Sequence, residues 1–259
     1  MPVRAEAREG AEQNTQMLFG ELCEIVESQK SKVESEKPKW YHVRLEADGQ
    51  EGWVDAKMIA PIGGKDLTAY KKAYKTAAMV KFPMTYAVSE NNGQTIPLTA
   101  GTRLPNYKDG RFEVLGVGFR IDPHMVSIQP SVISLQTLLE TTRFFINTPY
   151  LWGGKNALGM DCSGFTQVVM SLFGKKLLRN ASEQATQGRA IKERQKAQAG
   201  DLVFFDHEDG KISHVGIVID PDRVIHCSGR VKVEKLDDTG IFNAETGEYS
   251  HHLTQIRRL

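Results

Sequence analysis

Cys162 lies in Gly159-Met160-Asp161-Cys162-Ser163-Gly164, a turn that opens an apolar-striped stretch of helical period. A helix N-terminus presents unpaired N–H groups and the positive end of the macrodipole, and both favour thiolate over thiol. Most free cysteines are simply small buried hydrophobes. Asp161, Ser163 and Gly164 are poor company for a core residue, however, and they make Cys162 a candidate nucleophile. A sulfur nucleophile needs a base that can also protonate a leaving amine, and histidine titrates in the useful range. His214 precedes the apolar run Val215-Gly216-Ile217-Val218-Ile219, and His226 follows Val224-Ile225, beyond the turn at Asp220-Pro221-Asp222.

Either histidine alone would more often be structural; together they have a geometric logic. One face of a strand recurs at every second residue. If Asp220, Pro221 and Asp222 form a three-residue loop, Ile219 pairs with Arg223 and Gly216 faces His226, so that His214 and His226 share a face. A two-residue loop sends the imidazoles to opposite faces. The order cysteine, histidine, third polar residue is that of papain-type triads, whose third member fixes the tautomer and orientation of the base.

The elements that must position these groups are legible from periodicity. Leu135, Leu138, Leu139 and Phe145 fit a helical face, with Pro130 and Ser131 where its start belongs. A second helix runs from about Cys162 to Phe173, and Gly174 is its natural stop. A shorter helix follows Asn180. Leu202-Phe205, Val215-Ile219, Val224-Cys227 and a stretch near Gln255 read as strands. Helices first and antiparallel strands afterwards is an α+β arrangement.

Upstream, residues 1–62 read as short strands. Trp40 to Leu45 alternates, with Tyr41, Val43 and Leu45 on one face; Ser28 to Lys39 is a charged, solvated loop; Asp48-Gly49 is a hairpin signal. Residues 63–128 form a second β-rich unit punctuated by Gly93, Gly101, Asp109-Gly110, Gly116 and Gly118. Both units suggest small barrels of about five strands. The expected domains are 1–62, 63–128 and 129–259.

Composition is that of an ordinary globular chain, with 40% hydrophobic and 25% charged residues, and the formal net charge of +1 offers no global field for nucleic acid or anionic membrane. No apolar run reaches the roughly 20 residues that span a bilayer. Cys23, Cys162 and Cys227 are too few and too scattered for a disulfide framework, and neither a CxxC pair nor an HExxH sequence suggests a metal. No metal and no cofactor is expected. The missing leader pattern and the unpaired cysteines lead to the expectation of a cytoplasmic protein, or of a periplasmic or secreted one if a leader has been removed.

Five segments carry a resemblance. They are Pro149-Tyr150-Leu151-Trp152-Gly153-Gly154, Asp161-Cys162-Ser163-Gly164-Phe165, Gly200-Asp201-Leu202-Val203-Phe204-Phe205, His214-Val215-Gly216-Ile217 and Ile225-His226. In that order they resemble the NlpC/P60 peptidase family over about residues 129–259. The resemblance implies a papain-like core with Cys162, His214 and His226 as the triad. It also implies that the Tyr150 hydroxyl approaches the reacting carbonyl beside the Cys162 backbone N–H. Asp161, Ser163 and Trp152 are counted with the substrate-binding residues on the same ground; Trp152 could equally be packing. Cys227 has no matching role.

Pro2-Val3-Arg4, Gln16-Met17-Leu18-Phe19-Gly20-Glu21 and Asp48-Gly49-Gln50-Glu51-Gly52-Trp53-Val54 resemble the bacterial SH3-like domains fused to such peptidases. The whole chain is similar to the subgroup of γ-D-glutamyl-L-diamino acid endopeptidases (dipeptidyl-peptidase VI). That likeness implies cleavage of free peptidoglycan stem peptides such as L-Ala-γ-D-Glu-L-Lys, or its diaminopimelate form, with release of L-Ala-D-Glu. It also implies two acids that hold the substrate's free amine, one of them on the first barrel. Glu12 is the candidate for the first. The second falls at Asn180, where the subgroup often has Asp, and an amide supplies no charge. Gln50 stands where Tyr is common. Two other classes remain open on sequence alone: a wall-peptide binding module with an inert peptidase domain, and an amidase or acyltransferase of the same fold.

Overall fold

Alternation decides the first sheet. In Trp40–Leu45, Val43 and Leu45 are buried while Arg44 is exposed, the pattern of a strand with one face on a core. The structure, a computed structural model, describes residues 1–28, 38–206, 210–244 and 246–259, so most of the expected charged loop of Ser28 to Lys39 lies outside the described residues. It divides into two units, Met1–Gln129 and Pro130–Leu259.

In Met1–Gln129, five antiparallel strands run in the spatial order Gln13–Gln16, Pro2–Arg4, Glu51–Asp55, Trp40–Leu45, Cys23–Ser28. Val3, Met17, Val43, Leu45 and Val54 form their core. Gly52 is required there, because a Cβ would run into the Arg4 carbonyl and the Val3 side chain.

The next stretch departs from the expectation of strands alone. Gly64–Lys75 is an α-helix. Its Lys- and Ala-rich sequence favours helix, yet Tyr70 is its one buried residue, so no apolar stripe announces it. Tyr70 donates its hydroxyl to the Gly20 carbonyl at 2.8 Å and stacks on Tyr74 one turn later. Beyond it lie a four-stranded and a three-stranded sheet instead of a five-stranded barrel. Their core includes Val80, Leu98, Leu104, Phe112 and Phe119.

In Pro130–Leu259 the first helix is Leu135–Thr142. It starts later than Pro130 and Ser131 suggested, because the side-chain cap is Ser134, whose hydroxyl accepts the Thr137 N–H at 3.1 Å. The second helix, Cys162–Leu172, buries every residue except Ser171, which is half-buried. Gly174, with φ of 72°, follows its C-cap at Phe173. Ala181–Gln184 is the short third helix.

The sheet runs Arg189–Ile191, Glu248–Arg258, Leu202–Asp206, His214–Asp220, Arg223–Ser228, Arg230–Leu236, Gly240–Asn243, and the last strand pairs back onto Glu248–Arg258. That closing pair makes a barrel of six strands. Val203, Phe205, Val218, Val224, Leu236, Ile241 and Ile256 fill one face, and the Cys162–Leu172 helix packs against the strands that begin at His214 and Arg223. The fold is α+β. Among the described residues no helix is long and apolar enough to cross a membrane.

Candidate active site

Strand register brings the two histidines together, by a route that amends the expectation. Gly216 pairs with His226, Ile217 with Ile225 and Val218 with Val224, but Asp220 pairs with Arg223. The loop is therefore only Pro221-Asp222, and Ile219 is a bulge. One extra residue on one strand restores the parity that a two-residue loop removes. Asp220 tightens the turn by accepting the Asp222 N–H at 3.1 Å and the Arg223 Nε–H at 2.8 Å.

The result is a row of contacts. His214 Nε2 lies 2.8 Å from His226 Nδ1, with the rings nearly perpendicular. His226 Nε2 lies 2.8 Å from Glu234 Oε2, and Lys232 Nζ is 2.9 Å from the same oxygen. His226 is fully buried, and burial pushes its pKa down against the opposing pull of Glu234. Burial acts on Glu234 in the other direction; the bonds from His226 and Lys232 outweigh it and hold the carboxyl below its ordinary value. His251 stacks on His214 with ring centroids 4.1 Å apart.

Sequence reasoning missed Glu234 and His251. Glu234 sits diagonally from His226, whose direct cross-strand partner is Lys232; only the register of Arg230–Leu236, a strand the sequence reading did not identify, could have found it.

Cys162 is the first residue of its helix and is buried. The backbone N–H groups of Val215 and Ser163 reach its sulfur, so the thiol lies at the peptide unit that follows His214. The helix start and burial pull the thiol in opposite directions. Burial, and then the Asp161 carboxylate, push the thiol up to about 11 against the two N–H groups and Arg179.

Asp161 and Ser163 are both buried, and their side chains are engaged at the helix start. Asp161 caps the helix by accepting the Gly164 N–H at 2.6 Å, and it also accepts the Gly153 N–H at 2.9 Å. Arg179, 1% exposed, donates to both carboxylate oxygens at 3.0 and 2.5 Å and to the Ser163 hydroxyl at 2.8 Å. A buried carboxylate must be paired, and these donors are its pairing. The motif glycines follow from the same crowding: a Cβ on Gly164 would strike the Gly154 carbonyl.

Tyr150 is partly exposed, and its backbone N–H donates to the Gly229 carbonyl at 2.8 Å. Burial, with the Cys162 sulfur next in weight, pushes its phenol well above the ordinary value, so it remains a donor. Trp152 is 60% exposed and is not core. Asn180 precedes the Ala181–Gln184 helix, where its backbone N–H donates to the Glu183 carboxylate at 2.9 Å. Cys227 is fully buried, donates its thiol to the Met160 carbonyl at 3.1 Å, and is pushed by burial up to about 12, which suits packing. Glu12 belongs to the Met1–Gln129 unit and is exposed there. Among the described residues no group of His, Cys, Asp and Glu has a metal-holding arrangement.

A buried cysteine at a helix start, beside a histidine held by a second histidine, has the parts for thiol-based acyl transfer. The NlpC/P60 family profile matches residues 147–258, and that of the bacterial dipeptidyl-peptidase Sh3 domain matches residues 3–59. The chain belongs to the NlpC/P60 family of peptidases.

It is 29% identical over 228 residues to a gamma-D-glutamyl-L-lysine dipeptidyl-peptidase of Bacillus subtilis (strain 168), a match covering 82% of this chain and 71% of that one. It is 36% identical over 131 residues to a probable endopeptidase of Haemophilus influenzae, covering 49% of this chain and 76% of the relative. The crystal structure of an NlpC/P60 family protein from Bacillus cereus ATCC 10987 shares the fold, with a TM-score of 0.76 at 21% identity over 95% of this chain and 82% of that one.

Proposed function

We propose that the chain is a cysteine peptidase that hydrolyses the bond between γ-D-Glu and the diamino acid of free cell-wall stem peptides. The observation that carries this reading is the 2.8 Å contact between His214 and His226, with Cys162 held against the peptide unit that follows His214. The name of the Bacillus subtilis relative supports the choice of bond.

Burial disfavours the free thiolate, and His214 is the group placed to take the thiol proton. Cys162 adds to the γ-carbonyl carbon of D-Glu while His214 takes the thiol proton. The oxyanion is met by the Cys162 backbone N–H and the Tyr150 hydroxyl. Collapse breaks the C–N bond as His214 gives its proton to the departing amine, leaving a thioester on Cys162. Water then attacks that thioester, loses a proton to His214, and frees L-Ala-D-Glu with the thiol restored.

Incubating purified protein with L-Ala-γ-D-Glu-L-Lys and weighing the products tests this. The reading expects L-Ala-D-Glu and free lysine from the wild type and neither from Cys162→Ala. An intact tripeptide after prolonged incubation with the wild type would sink it.

A further inference from the structure

His226 can orient His214 only if it accepts a proton on one particular nitrogen, and nothing within the pair decides which. Neutral imidazole carries a single N–H, on either nitrogen. If His226 carried it on Nδ1, that N–H would point at His214 Nε2 and force the His214 proton onto Nδ1, the nitrogen needed as base. If His226 carries it on Nε2, its Nδ1 accepts from His214 Nε2–H and the Nδ1 lone pair of His214 stays free. A third group must choose between the two.

We propose that Glu234 makes this choice as a positioning residue: its carboxylate accepts the His226 Nε2–H, and through His226 it holds His214 with Nδ1 unprotonated. The inference rests on the peptidase reading above. The geometry supplies an acceptor at 2.8 Å from His226 Nε2 on a side chain only 10% exposed. An ionised carboxylate accepts and cannot donate. Lys232, at 2.9 Å and 21% exposed, keeps that carboxylate charged. Among the described residues, other groups also lie near the histidine pair, including Phe205, whose ring centroid is 5.9 Å from that of His214. His251 stacks flat on the His214 ring at 4.1 Å and stands edge-on to His226 at 5.9 Å between centroids; its Nδ1 is engaged with the Ser250 hydroxyl at 2.9 Å. Cys162 takes the Val215 N–H on its sulfur. Of these groups, Glu234 is the one placed on His226 Nε2.

The decisive measurement needs no substrate. In wild-type protein labelled with nitrogen-15 on the imidazoles, the proposal expects His226 to show a protonated Nε2 and a bare Nδ1 at neutral pH, and His214 likewise. A proton on His226 Nδ1 overturns it. Kinetics supply the second arm. Glu234→Leu should lower kcat on L-Ala-γ-D-Glu-L-Lys by about ten- to a hundredfold with KM within about twofold, the range for removing a group that orients a reacting or ligating imidazole. Glu234→Gln should keep more activity, since an amide oxygen can still accept.

Alkylation of Cys162 by iodoacetamide should slow by a similar factor in Glu234→Leu, and this separates the two readings. If the wild type leaves the tripeptide intact while tautomer and alkylation still depend on Glu234, the substrate assignment falls and the positioning role stands. Unchanged tautomers, alkylation and kcat in a folded Glu234→Leu protein would end the proposal.

Discussion

Two buried polar assemblies flank Cys162, and they solve the burial problem in opposite ways. Under the helix start, Asp161 and Arg179 form a full ion pair of fixed charge with backbone and hydroxyl hydrogen bonds at its edges. Along the barrel strands, His214, His226 and Glu234 form a row in which each contact can change with a proton's position. The first holds a backbone turn; the second, on the proposed mechanism, has to respond during a reaction. Fixed charge suits rigidity, whereas a row of imidazoles keeps its net charge low enough to be buried neutral.

The sharpest break removes the point where both meet. Cys162→Ala should reduce turnover to background, while Cys23→Ala and Cys227→Ala keep most of it; product masses from the three variants check this.

Within the row, His226→Ala should lower kcat by at least about a hundredfold, as loss of base orientation does, with His214→Ala at least as damaging. His226→Gln or His226→Asn should recover part of the rate, because an amide oxygen can accept the His214 N–H. Steady-state kinetics distinguish this from a purely structural role, in which amide variants would give no recovery.

The clamp should break differently. Arg179→Met leaves Asp161 buried without its cation and should cost about 3–5 kcal/mol of stability, read by urea unfolding. An Arg179→Met protein as stable as wild type would show that the helix cap does not need the pair.

The smallest effect is a difference in pH response. His226 is held below its usual 6.5, so unfolded chains bind a proton there that the native state refuses. Its contribution to stability is complete above about pH 6.5 and declines as pH falls below that value. Glu234, also lowered, contributes above its usual 4.5 and loses that contribution as pH falls through its native value. His226→Gln should therefore flatten the upper part of the acid limb in a series of thermal melts, leaving the part below pH 4.5 less changed. An identical slope in both proteins between pH 6.5 and 5 would refute this.

Local pattern was enough to locate many of the elements that carry the candidate site. The sequence around Cys162 already carries a polar turn, a striped helix and a stop at Gly174, because capping and periodicity are decided within a few residues. The strands that begin near His214 and Arg223 announce themselves by apolar runs for the same reason. The helix at Gly64–Lys75 escaped notice because its one buried residue leaves no stripe to read.

What sequence alone determined is the short elements that carry the candidate groups, since propensity, capping and turn chemistry act between near neighbours. What only the tertiary structure decided is how those groups are protonated and partnered. The bulge at Ile219 sets the facing of two imidazoles, and a one-residue slip would reverse it. The reach of Arg179 to Asp161 makes that carboxylate part of a buried clamp at the helix start. Burial of the Cys162 sulfur opposes the pull of its own helix on the thiol proton. Each depends on the dielectric and on donors brought from distant positions in the chain, and those exist only once the chain has folded.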